Sequence, residues 1–308
     1  MEKMKAALTT KYGPPEVLRI QEVDRPIPRS HEMLIKIQAI AVTSGDCRLR
    51  AFRPPSRSMG VLMRLMIGIR KPRKPIQGLW LAGVIVEAGD KVQRYKAGEA
   101  IYARTMDLKF GANAEYICLP DTAVMGLKPK GLSFEEAVSI PFGGLTAMHF
   151  LEKARLMKGD RLLVYGASGA VGTSAVQLGN YYGAEVTAVC STDNVDWVAN
   201  LGAKRTIDYK QEDITAGDDR FDIVFDAVGY LDRASVNRIL QPKGRFISVI
   251  HSGHARLVTN GLNVLTELAE QRLFKPVIDR CYRFDEIIEA HRYVETGRKR
   301  GNVVIKVP

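Results

Sequence analysis

Residues 162–178 read LLVYGASGAVGTSAVQL: an apolar run, glycines at every third place, then a helix-like run. Gly166, Gly169 and Gly172 mark the turn between the two. Glycines so placed allow a tight turn, close approach of the backbone to a diphosphate, and close contact of helix with strand. The free N–H groups and positive dipole end of the helix then attract the anion. Ala167 takes the place of the fingerprint's first glycine. A glycine triplet alone is weak, because a close-packed structural turn reads the same way. Its place between a strand and a helix makes it a phosphate cradle, formed by Gly166, Ala167, Ser168, Gly169, Ala170, Val171 and Gly172.

Working outward, the flanking chain keeps one rhythm. Strands are expected at 161–166, 185–190, 204–208, 221–226 and 245–250, with helices at 170–182, 194–201 and 232–240. Such alternation predicts a doubly wound parallel sheet with helices on both faces. A further helix is expected at 262–272, then one at 285–296 and a last strand at 302–307. Only HSGHARLVTNG separates strand 245–250 from helix 262–272, too little for another crossover strand. The sheet should therefore have five strands, with a sixth vestigial (at most Ala255 to Thr259) or absent.

Before Leu132 the pattern is different. MKAALTT, EVLRIQEV, EMLIKIQAIAV, LAGVIVEAG, EAIYAR and AEYICLP are short β-rich runs separated by Gly- and Pro-rich turns. They predict a partly closed antiparallel barrel or sandwich. LSFEEAVSIPFGGLTAMHFLEKA is helical in pattern on both sides of a Pro-Gly-Gly break, and Ser133 and Glu136 match the capping box of a helix start.

The end of strand 185–190 bears on the cofactor. An NAD site normally has an acidic residue there to hold the ribose 2′-OH, whereas this chain has Cys190 and Ser191. Ser191 and Thr192 can donate to a 2′-phosphate, and Lys204, Arg205 and Tyr209 lie one strand away, so NADPH is favoured over NADH. Asp193 counts against that choice. The loops after strands 221–226 and 245–250 lie at strand C-terminal ends, where this fold binds ligand, and nominate Val228, Gly229, Val249 and His251. As a general acid, His251 competes with the plainer reading of an exposed loop histidine.

Composition narrows the class. The 308 residues are 46% hydrophobic and 26% charged, as in globular domains, and no window is apolar enough for a membrane span. The N-terminus lacks the pattern of an export signal, and four scattered cysteines without CxxC spacing suit reduced thiols. A cytoplasmic location is expected. The net charge of +11 is concentrated: from Asp46 to Glu87 no acid occurs, while nine basic residues stand at 48–74. The stretch reads as a solvated basic face or as a contact for an anionic ligand, partner or membrane. It also holds MGVLMRLMIGI, either a helical lid over an apolar pocket, the preferred reading, or an interfacial amphipathic helix.

Together AVTSGDCRLR, FGANAEYICLP, AVSIPFGGLTAMHFL, YGASGAVGTSAVQL, LGAKRTIDY, FDIVFDAVG and the N-terminal MKAALTTKYGPPEVLRIQEVDRPIP resemble the medium-chain dehydrogenase/reductase superfamily, most of all its zinc-free quinone oxidoreductase branch. The resemblance implies a GroES-like catalytic domain from both chain ends (1–125 and 276–308) around a Rossmann cofactor domain (126–275). Where relatives hold catalytic zinc, this chain has Thr43, Leu79, Trp80 and Phe142, which cannot together ligate it, and the four-cysteine structural lobe is missing. Trp80 reads equally as core or as pocket wall. The resemblance also implies that Thr43 and Thr146 lie near the nicotinamide, and that Asn302 returns to the cofactor. For Thr146 an ordinary helix-turn hydroxyl fits as well, and Asp46 reads as a structural anchor. Tyr102 is a further candidate donor, against simple packing of an inward strand tyrosine. The homodimer common in the family would lack its usual edge strand here.

Without a metal, donors must stabilise the developing oxyanion, which favours quinones and α,β-unsaturated carbonyls as acceptors of hydride from the cofactor. The expected activity is thus an NADPH-dependent reductase of a lipophilic small molecule. The competing reading is a reductase-fold binding protein for nucleic acid or an acidic partner through 48–74. No aromatic interleaving supports nucleic-acid recognition there.

Overall fold

The computed structural model describes residues 2–54, 57–106, 110–253 and 255–308. The chain divides into two units, Met1–Pro141 with Ile278–Pro308, and Phe142–Val277. The first boundary falls later than the 125/126 position read from the sequence.

In chain order the first unit begins with β1 (Lys3–Thr9) and β2 (Leu18–Asp24), which pair with each other, then β3 (Glu32–Val42). Next come α1 (Ser44–Ala51), α2 (Arg57–Ile67), β4 (Trp80–Ala88), β5 (Ala100–Arg104), β6 (Tyr116–Pro120) and β7 (Met125–Leu127). Helix α3 (Phe134–Lys153) leads into the second unit: β8 (Arg161–Tyr165), α4 (Ala170–Tyr181), β9 (Glu185–Cys190), α5 (Val195–Ala199), β10 (Arg205–Asp208), β11 (Phe221–Asp226), α6 (Arg233–Ile239), β12 (Leu240–Ser248) and α7 (Thr259–Glu270). The chain ends with β13 (Ile278–Arg283), α8 (Ile287–Glu295) and β14 (Asn302–Lys306).

Strand β3 is the spine of the first unit. It runs EMLIKIQAIAV, apolar nearly throughout, because neighbours cover both faces. Its first half pairs antiparallel with β6, its second half with β14, and its other edge with β4. The seven-stranded sheet is antiparallel except where β13 joins β14. Met33, Ile35, Ile37, Leu81, Ile101 and Met125 form one core with Ile287 and Val294 of α8. Strand β13 was not expected from the sequence. It is an edge strand carrying Asp279, Arg280 and Arg283, so it lacks the apolar alternation that marks an inner strand.

Helix α1 was also unforeseen. Thr43 caps it, and the amide of Asp46 donates to the Thr43 hydroxyl oxygen while the Thr43 amide donates to the Asp46 carboxylate. Phe52 ends the helix in the left-handed conformation, φ 51°.

The second unit has five parallel strands in the order β10-β9-β8-β11-β12, with no sixth strand among the described residues. The nominated edge strand, Ala255 to Thr259, is not paired into a sheet: 255–258 have no regular structure and Thr259 opens α7. The expected break in α3 does not occur, since Pro141 lies inside one continuous helix. The neighbouring glycines serve close contact instead. A Cβ on Gly143 would stand 2.1 Å from the carbonyl oxygen of Ala170, and one on Gly144 2.7 Å from Leu265. At the start of α3, Ser133 and Glu136 exchange the two bonds of the expected capping box, at 2.8 and 3.2 Å.

Candidate functional site

The glycine turn lies between β8 and α4, at the centre of the parallel sheet. Each glycine answers a different demand. Gly166 has φ +78°, where L side chains are strained, and a Cβ there would lie 2.4 Å from Val228. A Cβ on Gly172 would lie 2.1 Å from the Gly166 carbonyl oxygen, so this glycine lets α4 close onto the strand. Gly169 differs from both: φ is −81°, and an added Cβ would meet nothing nearer than 3.7 Å. Among the described residues nothing requires a glycine there. A ligand brought against the backbone would require it.

Gly169 is also the N-cap of α4, and no side chain caps that end. The helix's first amides thus point, with its dipole, at the open side of Gly169. Of the nominated residues, Ala167, Ala170, Val171 and Gly172 are buried, and Gly166, Ser168 and Gly169 half-buried.

At the end of β11 the sequence reading named Val228 and Gly229 but overlooked the residue that shapes their loop. Asp226 has no exposed surface. One carboxylate oxygen accepts from the amides of Val228 at 3.0 Å and Gly229 at 2.7 Å, the other from Leu231 at 2.9 Å. An acid ending strand FDIVFD directly after the apolar run IVF was the available signal. Val228 is 42% exposed, and at the end of β12 Val249 is half-buried while His251 is exposed. All lie at the carboxyl ends of β11 and β12, the same end as the glycine turn.

The ribose end of the cradle needs correction. Lys204 and Arg205 stand at the start of β10, the edge opposite the ligand-binding ends. Lys204 pairs with Glu185 at 2.8 Å, while Arg205 pairs with Asp219 at 2.5 Å and also with Glu212. Neither supplies charge to a 2′-phosphate. At the proper end, Asn194 donates to the Ser191 hydroxyl oxygen at 2.8 Å and accepts from the Trp197 indole at 2.9 Å. Ser191 thereby keeps its own proton to give. Thr192 is engaged with Asp208, whose carboxyl its hydrogen bond holds below the usual range. Asp208 sits opposite Cys190 in register, and the buried Cys190 thiol is pushed up to about 11 by burial and by that carboxylate. Tyr209, 48% exposed, faces Tyr165 with ring centres 6.2 Å apart, beside a crevice of about 500 Å³ whose walls include Lys210, Leu231 and Arg238.

The nominated hydroxyls are held as follows. Thr43 is buried and donates to the Asp46 carboxylate at 2.5 Å, so Asp46 anchors the turn. Burial pushes that carboxyl up to about 6, against the hydrogen bonds from Thr43. Thr146 donates to the Phe142 carbonyl at 2.6 Å, the helix-turn bond weighed against catalysis. Tyr102 has no exposed surface, Asn302 is buried at the start of β14, and Trp80 is buried beneath Arg104, whose guanidinium lies 6.0 Å from its ring centre.

This fold accommodates zinc in some of its members. Here the ligand positions offer a hydroxyl committed to Asp46, an alkyl group, an indole and a phenyl ring. These do not fit a zinc ion. Among the described residues no cluster of three or more His, Cys, Asp or Glu could hold a metal.

Comparison with known proteins decides the family. Residues 29–149 match the alcohol dehydrogenase GroES-like domain and residues 170–271 the zinc-binding dehydrogenase family. The 2-methylene-furan-3-one reductase of Solanum lycopersicum is 33% identical over 98% of this chain and 79% of its own length. The chain belongs to the medium-chain dehydrogenase/reductase superfamily, in its quinone oxidoreductase-like branch. The chloroplastic NADPH-dependent alkenal/one oxidoreductase of Arabidopsis thaliana is 30% identical over 99% of this chain and 80% of its own. The quinone oxidoreductase of Coxiella burnetii superposes with a TM-score of 0.83 at 26% identity, covering all of both chains. This chain is accordingly an oxidoreductase of that superfamily, with a GroES-like domain, a Rossmann-like sheet and a nicotinamide nucleotide as cofactor. Among its described residues no helix is long and apolar enough to cross a membrane.

Proposed function

We propose that this protein is an NADPH-dependent, zinc-independent reductase of α,β-unsaturated carbonyls or quinones. The observation that carries the reading is Gly169: a helix N-terminus with no side-chain cap, beside a glycine that no protein atom demands. A reduced nicotinamide held there would supply the hydride that a conjugated carbonyl or quinone accepts, and water would supply the proton. The chain's own work is to bind and orient. Amides at the start of α4 take the diphosphate, and Asp226 stiffens the Val228–Gly229 loop beside it. Ser191, positioned by Asn194, donates to the 2′-phosphate, with Thr192 and Tyr209 alongside; this and the Arabidopsis relative's name support NADPH. Val249, His251 and Asn302 complete the proposed cofactor contacts. Thr43 in the first unit and Thr146 in the second are each proposed, separately, as a donor to a substrate oxygen, each having to give up its present acceptor, while the enclosed Tyr102 is assigned to packing. Acceptors of this class need no Lewis acid, because their developing charge is delocalised. Four free cysteines support a reducing, cytoplasmic setting.

The test is consumption of NADPH and NADH, followed by absorbance, against a panel of quinones, alkenals and alkenones. Turnover of at least one class with NADPH preferred is expected. No turnover with any, or dependence on added zinc, overturns the proposal.

A further inference from the structure

We propose that α2 and the basic turn after it dock this protein on an anionic lipid bilayer. Val61, Leu62, Leu65 and Met66 are 65, 52, 57 and 66% exposed, and Ile69, just beyond the helix, is 59% exposed. At helical spacing the first four occupy one arc of roughly 140°. The opposite side of the helix faces the protein: Gly60 and Gly68 are buried, Met63 and Ile67 half-buried. The helix is also held from that side. Tyr12 donates to the Gly68 carbonyl at 3.0 Å, and Arg64 lies over the Phe52 ring at 4.2 Å. Four large apolar side chains of an anchored helix, with Ile69 just beyond its end, are therefore presented outward. A lid would turn that face inward onto its pocket.

The charge around the face selects the occupant. Arg70, Lys71, Arg73 and Lys74 are exposed, and among the described residues none of them forms an ion pair. No acidic residue occurs between Asp46 and Glu87 to oppose them. The occupant must be apolar and negative at once. A protein partner of that kind would be met by aromatic anchors and directional polar groups, the usual centre of a protein interface. This face has neither. It is aliphatic and thioether only, which suits acyl chains, with cations at headgroup level. Each cation near the surface should raise membrane affinity roughly fivefold.

The experiment is flotation of the full chain with extruded vesicles of phosphatidylcholine alone or with added phosphatidylglycerol, at low and high salt. Binding to the anionic vesicles at least tenfold stronger than to phosphatidylcholine, and weakened by salt, is expected. The variant Leu62→Gln/Leu65→Gln/Met66→Gln should lose that binding with an unchanged circular dichroism spectrum and melting temperature, since all three side chains face solvent. Arg70→Gln/Lys71→Gln/Arg73→Gln/Lys74→Gln should lose the preference for phosphatidylglycerol. Failure to float with anionic vesicles, equal binding to both compositions, or wild-type binding by either variant would overturn the proposal. So would a dimer that the apolar variant converts to monomer, or RNA binding, in place of flotation.

Discussion

The amide of Gly229 donates to the carboxylate of Asp226 at 2.7 Å, and that buried carboxylate gathers two further amides of the same loop. A carboxylate that accepts three backbone bonds fixes the path of a turn more firmly than any side-chain packing available to a loop. The turn it fixes stands beside the glycine cradle, where Val228 would meet a Cβ at 166. Asp226→Ala should therefore loosen the cofactor loop. We expect a loss of about 2–4 kcal/mol of stability from the orphaned amides, measured by urea unfolding. Dinucleotide affinity, followed by fluorescence titration, should fall at least tenfold. Asp226→Asn, which keeps one acceptor oxygen, should lie between.

The three cradle glycines separate folding from binding. Gly172→Ala places a methyl 2.1 Å from a backbone oxygen, which cannot give way as a side chain would. Its stability should fall by about 1–3 kcal/mol, the usual cost of overpacking. Gly169→Ala meets open space at an ordinary backbone conformation, so stability should change by less than about 1 kcal/mol. Its dinucleotide affinity should nevertheless fall tenfold or more. Equal stability losses in both variants would remove the argument that Gly169 is kept for a ligand.

The glycine turn and the strand–helix rhythm were legible in the sequence because a parallel sheet is covered on both faces, so its strands read as apolar runs. The five-strand count was legible too, from the shortness of the segment after β12. What escaped were features whose signal is tertiary. Helix α1 holds only eight residues and is fixed by the Thr43–Asp46 box. Strand β13 is polar because it lies at an edge, and the glycines after Pro141 signal helix contact, not a break. At the site, residue type was legible and orientation was not. Lys204 and Arg205 are near Ser191 in sequence but at the opposite end of a parallel strand. Asn194, Trp197, Asp208 and Asp226 act through geometry that spacing alone does not display.

The network at the end of β9 should discriminate between coenzymes. Trp197 donates to Asn194, which donates to Ser191, so the serine oxygen accepts in this network and its proton remains available to a ligand. Asn194→Ala removes the positioning without touching the proposed phosphate donor. The Kd for NADPH should rise about three- to tenfold, with that for NADH unchanged. Ser191→Ala should do the same more strongly, the loss of one charge-assisted bond being worth about 1.5–3 kcal/mol. Parallel losses for both coenzymes would instead mark the network as structural.

Two buried groups of the first unit give opposite responses to acid. His291 is enclosed, its Nδ1 3.5 Å from the Cys47 sulfur, and burial together with Arg50 lowers it to about 3. The unfolded chain would take that proton near the ordinary value of 6.5. Between those limits the unfolded state binds more protons, so the histidine's contribution to stability is lost as pH falls, by about 1.4 kcal/mol per unit at most. Asp46 runs the other way. Its folded value of about 6 lies above the ordinary 3.8, so from 6 down to 3.8 the folded state binds the extra proton and gains stability. In the wild type these two slopes oppose each other through that interval, on top of the loss that carboxylates such as Asp208 and Asp219, held below their ordinary range, add as pH falls. From pH 6 to 4, His291→Leu should lose less stability than the wild type, whereas Asp46→Asn should lose more. Urea unfolding at half-unit pH steps reads both slopes, and because slopes are compared, packing losses common to all pH values drop out. Identical slopes in all three proteins would show that neither group carries the burden assigned to it.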